Sequence, residues 1–278
     1  MKKILVPVDF SEYAEMALEV AATLAKKYNA EIAVLHMLGL SETAVAKNEA
    51  QDFLEMEYYM KLAKKRFNMF LNRPWLKDIK ITQTVQNHKV FREINNVAKE
   101  QNIDLIVMGS HGSEGLGEIF VGSHTEKVVQ SSEVPVLVIK KRTKHFKIDK
   151  IVFGFDFRIE YITAYQNALK LFSALELDVH MVYVNQPGIN FTSTSQTKAQ
   201  IDSFLRIAHH GDLPENLQIV QISDYSVEKG IYAYAEEVKA DTIAIATHGR
   251  SGLAQFLKGS VGMDVANHSS LPVLTFKI

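Results

Sequence analysis

The sequence predicts an α/β protein made of two copies of one domain, each a parallel sheet with helices on both faces. Short apolar runs alternate with segments of helical periodicity in the order β-α-β-α-β-α-β-α-β, which is typical of a parallel sheet. Four landmarks also recur at a single offset of 137 residues, which indicates an internal duplication. These pairs are His111 and His248, Gly122 and Gly259, Ser123 and Ser260, and Pro135 and Pro272.

The first copy opens with an apolar run over residues 2–9 that ends in a turn, as expected of a buried strand. Ser11 caps the following helix, Glu12 lies in its first turn, and Asn29 marks its end. Pro74 stops a long helix that begins near Ser41. The pattern predicts strands over 31–37, 79–85, 104–109 and 134–140, and helices over 41–72, 90–100 and 125–130.

The second copy repeats this order in fewer residues. Asp9 to Gly112 spans 103 residues (112 − 9) and Asp156 to Gly249 spans 93 (249 − 156), so the second copy is shorter by ten. We expect the difference to lie in the long helix over 41–72. The predicted strands cover 149–156, 177–184, 217–222, 241–246 and 272–277, and the predicted helices 161–175, 194–209, 227–239 and 259–269.

Composition excludes several classes of protein. A formal net charge of −1 argues against a nucleic-acid or membrane-surface partner that binds through charge. The absence of cysteine excludes disulfides, thiolate catalysis and cysteine-bound metals. No apolar run reaches the roughly 18 residues of a membrane span, and Asp9 and Glu12 interrupt any signal-peptide core. We therefore expect a cytoplasmic protein.

Glycines after the fourth strand predict a phosphate-binding site. Gly109, Gly112, Gly122 and Ser123 have the spacing Gly-x2-Gly-x9-Gly-Ser, with the last two opening a helix. Glycine permits close backbone approach, and a helix start offers free N–H groups to an anion. Ordinary turns and a serine cap remain the alternative. A P-loop motif is absent, as is the usual catalytic set for fast phosphoryl transfer.

Several rim residues support either a structural or a functional interpretation. In parallel sheets ligands lie beyond the carboxyl ends of the strands, where Asp9, Met37 and Gly109 fall. Asp9 and its counterpart Asp156 either contact a ligand or hold a turn.

A basic stretch, residues 140–147, lies between the copies and is interpreted as the region of the linker, with a basic docking patch as the alternative. The predicted domains are residues 1–142 and 148–278, with 143–147 as the linker. We expect the two domains to pair through their final strands, 134–140 and 271–277. Whether two chains associate further into a homodimer stays open.

These motifs together resemble the universal stress protein family in its tandem, ATP-binding form. The resemblance covers nearly the whole chain. It rests on the sequences at 6–12 (VPVDFSE), 35–37 (LHM), 108–112 (MGSHG), 122–123 (GS), 134–138 (VPVLV), 247–253 (THGRSGL) and 259–261 (GSV). The resemblance implies two adenine-nucleotide-alpha-hydrolase-like domains, each an open five-stranded parallel sheet with strand order 3-2-1-4-5.

By resemblance, the first copy binds ATP or another adenine nucleotide with Mg. Pro7 and Met37 would lie near the adenine and Asp9 near the ribose or the cation. Gly109 and Gly112 would pass under the ribose and phosphates. Gly122, Ser123 and the N–H of His124 would hold the triphosphate, with Met108 and His111 nearby. The resemblance makes His111 and His248 loop residues near the phosphates rather than a general acid or base.

The second copy would use Asp156, Val184, Ala246, His248, Gly249, Gly259, Ser260 and Val261. It departs from the family pattern at Ala246, which replaces the first glycine, and at Gly154, which stands where the first copy has Pro7. The first copy departs at His124, where a small apolar residue is usual. Because the second copy departs from the family pattern at two positions and the first copy at only one, we expect the first copy to be the better nucleotide site.

The predicted function is that of an adenine-nucleotide-binding stress-response protein that acts as a sensor or regulator with unknown protein partners. A slow ATPase, or an enzyme acting on another phosphorylated small molecule, is the first alternative. An interaction scaffold that binds no nucleotide is the second.

Overall fold

The computed structural model describes residues 1–38, 49–86, 91–110, 123–143, 146–188, 191–211, 217–247 and 271–278. The side chains of 49–53, 91–93, 123 and 247 lie outside this description. The described residues form two compact units, the first ending at Phe146 and the second beginning at Lys147.

The first unit is a five-stranded parallel sheet with the order β3-β2-β1-β4-β5. Its two innermost strands are buried almost throughout, whereas edge strand β3 is only partly covered. The strands are β1 (Lys3–Pro7), β2 (Glu31–Met37), β3 (Ile81–Gln86), β4 (Leu105–Gly109) and β5 (Val136–Ile139). The helices are α1 (Glu12–Tyr28), α2 (Glu49–Phe70), α3 (Phe91–Glu100) and α4 (Ser123–Ser131).

The second unit repeats this arrangement with the order β10-β9-β6-β7-β8, again with parallel neighbours. The strands are β6 (Lys150–Gly154), β7 (Asp178–Asn185), β8 (Gln218–Ser223), β9 (Thr242–Thr247) and β10 (Val273–Lys277). The described helices are α5 (Ile162–Ala174), α6 (Thr194–Ala208) and α7 (Val227–Glu237). The helix predicted over 259–269 lies outside the described residues.

Helix α1 has the limits that its sequence predicts. The Ser11 hydroxyl accepts a hydrogen bond from the Ala14 N–H at 3.2 Å, and Asn29 ends the helix in the left-handed conformation. Helix α5 begins differently. The chain first makes a short 3-10 turn, Ile159–Tyr161, so α5 starts six residues after Asp156, whereas α1 starts three residues after Asp9.

A phenylalanine with positive φ follows the first strand of each unit. Phe10 has φ 66° and Phe157 has φ 54°, a conformation that is strained for a bulky side chain. Phe10 packs edge-on against Phe67 of α2 at 5.2 Å, and Phe157 packs edge-on against Phe204 of α6 at 5.6 Å. In each unit this contact holds the second crossover helix over the end of the first strand.

The length difference between the copies falls between β2 and the end of α2, a stretch that contains most of the helix in which the sequence predicts it. Strands β2 and β7 match at an offset of 147 residues, since Glu31 pairs with Lys3 as Asp178 pairs with Lys150. Phe67 and Phe204 match at an offset of 137 (204 − 67). The ten extra residues of the first copy therefore lie between β2 and the end of α2.

A matching aspartate joins the first and fourth strands of each unit. One oxygen of Asp104 accepts a hydrogen bond from the Lys3 N–H at 3.0 Å, and Asp241 accepts one from the Lys150 N–H at 3.0 Å. Each aspartate also donates its own N–H to the carbonyl of the same lysine. These reciprocal bonds set the register of the two central strands.

Gly154 packs closely against α7. A Cβ at this position would lie 2.1 Å from Cδ1 of Ile231, which is fully buried. The departure from Pro7 noted in the sequence therefore has a structural cause inside the second unit: the Ile231 side chain fills the space above the end of β6.

We predict that Gly154→Ala lowers the free energy of unfolding by about 1–3 kcal/mol, because the methyl group would overpack this contact. Ile231→Val removes the clashing Cδ1 and costs about 0.5–1.5 kcal/mol by itself. The double variant should lose less stability than the sum of the two single changes, as measured by chemical denaturation. If the losses of unfolding free energy in the two single variants add up to the loss in the double variant, the packing explanation is contradicted.

His36 links β2 to the turn after β1. Its Nδ1 lies 2.8 Å from the Val8 carbonyl, and its ring lies 4.4 Å from that of Phe10. Burial lowers the pKa of His36 below its usual value of 6.5, although the bond to Val8 acts in the opposite direction. The folded chain therefore favours the neutral imidazole.

The unfolded chain binds this proton more readily than the folded chain does. The contribution of neutral His36 to the free energy of unfolding is therefore full above pH 6.5. It is lost as pH falls through the pKa of His36 in the folded state, which lies below 6.5. We expect the unfolding free energy of the wild type to fall relative to that of His36→Asn between about pH 7 and pH 5. Denaturation of both proteins across this range measures the difference. A difference that is independent of pH would refute the prediction.

Candidate functional site

The carboxyl ends of three neighbouring strands form the rim of the first unit. Pro7, Met37 and Gly109 are the last residues of β1, β2 and β4, and β1 lies between the other two. Asp9 follows β1 by two residues. The predicted rim is therefore present, with Met108 buried one residue below Gly109.

The Asp9 carboxylate helps to hold the turn that starts α1. Its Oδ1 accepts a hydrogen bond from the Ser11 N–H at 3.0 Å, while Ser11 itself caps the helix. The turn-holding role that the sequence left open is thus observed. It places a carboxylate at the rim, at the end of the central strand.

Gly109 is a glycine because α1 crosses the end of β4 closely. A Cβ on Gly109 would lie 2.8 Å from the backbone oxygen and from the Cβ of Tyr13, closer than real Cβ contacts. Helix packing therefore accounts for this glycine, whatever ligand the rim accepts. The first turn of α1 lies directly against the strand end as a result.

Helix α4 is tied to the same strand end. The buried Thr125 hydroxyl donates a hydrogen bond to the Gly109 carbonyl at 2.8 Å. Ser110 is also buried, and its N–H donates to the Ile139 carbonyl. Thr125 thus holds the amino-terminal turn of α4, and with it the exposed His124, beside the ends of β4 and β5.

Part of the predicted site lies outside the described residues. This applies to His111, Gly112 and Gly122 in the first copy and to His248, Gly249, Gly259, Ser260 and Val261 in the second. Ser123 is described only as the first residue of α4. The described part of the site therefore comprises the strand ends and the start of α4.

The second unit has the same strand ends with different chemistry at the carboxylate. Gly154 ends β6, Val184 and Ala246 are the next-to-last residues of β7 and β9, and Asp156 follows β6. The Asp156 Oδ2 accepts a hydrogen bond from the Arg158 Nε at 2.7 Å, and Oδ1 accepts one from the Arg158 N–H at 3.3 Å. An ion pair therefore occupies this turn.

The surroundings of Arg158 fix it beside Asp156. Its guanidinium lies 4.7 Å from the centre of the Tyr161 ring and 3.5 Å from a Glu160 oxygen. Burial raises the pKa of Asp156 above its usual value, although the hydrogen bonds and charge of Arg158 act in the opposite direction. Ser11 stands at the matching place in the first unit, so the two carboxylates have different partners.

Sequence reasoning missed three features that organise these turns: the matched phenylalanines Phe10 and Phe157, the threonine Thr125, and the arginine Arg158. The repeated Asp-Phe pair was a visible signal for the first. Nothing in the sequence indicated that Thr125 would reach a strand end. Arg158, two residues after Asp156, could have been recognised as a local ion-pair partner.

A groove of about 670 Å³ lies beside α1, and none of the predicted site residues lines it. Trp75, Lys141 and Arg142 contribute to its walls. Arg142 pairs with Glu19 of α1 at 2.9 Å, so this part of the basic stretch is bound to the first unit.

Among the described residues, no cluster of three or more metal-binding side chains occurs. In the same part of the chain, no helix has the length and apolarity to cross a bilayer.

Comparison with known proteins assigns the chain to a family. The profile of the universal stress protein family matches residues 1–140 and again residues 147–277. The universal stress protein MJ0577 of Methanocaldococcus jannaschii is 33% identical over 155 residues, which cover 51% of this chain and 96% of that protein. The universal stress protein Slr1230 of Synechocystis is 22% identical over the whole of both chains.

The fold agrees with this assignment. The crystal structure of a universal stress protein from Archaeoglobus fulgidus superposes with a TM-score of 0.67 at 22% identity, covering 99% of this chain and 98% of the other. Because the family profile matches both halves in succession, this chain belongs to the universal stress protein family and carries two tandem copies of its domain.

Proposed function

We propose that this protein binds an adenine nucleotide with Mg at the rim of its first unit and acts as a sensor or regulator. The observation that carries the proposal is the bond between Thr125 and the Gly109 carbonyl, which holds the start of α4 beside the strand ends. A helix amino terminus presents backbone N–H groups and a favourable dipole to phosphate. The glycine spacing after Gly109 supports the same interpretation.

The roles of the other residues follow from their places at the rim. Pro7 and Met37 would contact the base, and Asp9 would face the ribose or the cation. Gly112, Gly122, Ser123 and His124 would hold the phosphates with their backbone N–H groups, with His111 nearby. Mg would arrive with the nucleotide and compensate its charge.

The second unit offers a weaker site of the same kind, using Asp156, Val184, Ala246, His248, Gly249, Gly259, Ser260 and Val261. Asp156 is already engaged by Arg158, so contact with a ribose or a cation would compete with an existing ion pair. A cytoplasmic location and pairing of the domains through their final strands stay predictions.

Measuring ATP hydrolysis together with the affinity for adenine nucleotides distinguishes the sensor from the slow ATPase and from the scaffold. Saturable binding without turnover fits the sensor, sustained hydrolysis would favour the slow ATPase, and failure to bind any adenine nucleotide would leave the scaffold. The described residues provide no observation that favours either alternative over the sensor.

Calorimetric titration with Mg-ATP should give saturable binding at one or two sites per chain. A Gly122→Val, Gly259→Val variant should lose it, because the added side chains would block close approach of phosphate to the backbone. A variant that binds as tightly as the wild type would refute the glycine cradle. Equal thermal stability of the two proteins without nucleotide serves as the control.

Asp9→Asn should weaken Mg-ATP binding by about tenfold or more, because a hydrogen bond to a charged group contributes about 1.5–3 kcal/mol. The matched change Asp156→Asn should cost less, since that carboxylate is paired with Arg158. The same titration compares the two variants. Equal losses, or a larger loss for Asp156→Asn, would contradict the assignment of the first unit as the better site.

A further inference from the structure

Helix α2 is longer than its counterpart in the second unit. It has 22 residues, whereas α6 has 15. With Phe67 matched to Phe204, the first residue of α6, Thr194, corresponds to Glu57, because 194 − 137 = 57. Residues 49–56 are therefore an extension of eight residues, or about 12 Å of helix.

The extended helix has an exposed apolar stripe opposite its core face. Its core face consists of Ala63, Phe67 and Phe70, and from Leu54 to Leu62 no residue is buried. Leu54 and Tyr58 are each 63% exposed and Met69 is 60% exposed. Together with Leu62 these residues recur at helical spacing on one side of α2. Exposed apolar residues in a row indicate a surface that contacts another molecule.

Charge is divided sharply along the same helix. Residues 49–60 contain Glu49, Asp52, Glu55 and Glu57 without a basic residue, and residues 61–70 contain Lys61, Lys64, Lys65 and Arg66 without an acidic one. Acidic residues early in a helix also suit its dipole. The dipole does not explain the basic residues, because the last turn of α2 contains none.

A helix with this charge distribution is complementary to an antiparallel copy of itself. A two-fold axis near Lys61 would bring the acidic half of each helix beside the basic half of the other. Leu54 and Met69 lie at similar distances on either side of Lys61, seven and eight residues away, so the apolar stripes would also meet. The same surface on both partners is the arrangement of a two-fold symmetric dimer.

We propose that α2 is a self-association surface on which a second copy of this chain docks in antiparallel orientation. One pair of helices covers less area than the roughly 1,200–2,000 Å² of a standard stable interface, so the dimer is weak and depends on concentration. High salt weakens it, because the charges are exposed. The surface uses none of the residues proposed to bind nucleotide, so the two proposals stand independently.

The test is sedimentation velocity on the full chain over a wide concentration series at low and high salt. Two charge-reversal variants are compared, Glu55→Lys with Glu57→Lys and Lys64→Glu with Lys65→Glu. Each variant alone should remain monomeric, because like charges would face each other. An equimolar mixture should restore the dimer, because one helix is then basic and the other acidic.

The matched control is Lys198→Glu on α6, an exposed position in the second unit, which should dimerise like the wild type.

Tyr58→Ala tests the apolar stripe and should weaken dimerisation by about tenfold, as expected for an aromatic anchor. Circular dichroism and thermal melting verify that each variant is folded. Glu57, Lys64 and Lys65 are exposed and Glu55 is half-buried. The exposed Glu57–Lys61 pair contributes little to stability.

Three results would overturn the proposal. The wild type could remain monomeric at every concentration. The charge-reversal variants could dimerise as strongly as the wild type, which would locate the contact on another surface. The mixture of the two variants could remain monomeric while the wild type dimerises, which would exclude antiparallel pairing of α2.

Discussion

The packing of one phenylalanine in each unit is the contact on which the rim depends. Phe10 and Phe157 adopt positive φ, which costs on the order of 1–3 kcal/mol for a residue with a side chain. The edge-on contacts with Phe67 and Phe204 offset this strain by burying aromatic surface. Because the chain reverses at this residue, the preceding aspartate stays at the end of the central strand and the first helix begins close to the sheet.

The two units show how one fold accommodates different rims. In the first, α1 starts early and approaches β4 so closely that only glycine fits at position 109. In the second, a 3-10 turn delays α5, and alanine stands at the matching position 246. The partners of the two carboxylates also differ. Asp9 accepts a hydrogen bond from the backbone N–H of Ser11, whereas Asp156 also pairs with the side chain of Arg158. Changes at the rim are thus linked to changes in how the adjoining helix begins.

The two halves of helix α2 have different surroundings. Its carboxyl-terminal half packs on Phe10 and completes the first unit, while its amino-terminal half extends past the length that α6 needs. The extension therefore adds surface without disturbing the core. The exposed apolar stripe from Leu54 to Met69 lies opposite a core face that is buried only in the carboxyl-terminal half, at Ala63, Phe67 and Phe70.

The sequence by itself determined the duplication, the order of strands and helices, the cap at Ser11, the end of α1 at Asn29 and the strand ends that form the rim. These features depend on periodicity, on offsets and on residues within a few positions of one another, so they can be recognised along the chain. Only the tertiary structure decided why Gly109 and Gly154 are glycines, that Thr125 bonds to a strand end, and which face of α2 is exposed. Each of these features depends on contacts between residues that are far apart in sequence. Such contacts form only when the helices pack on the sheet.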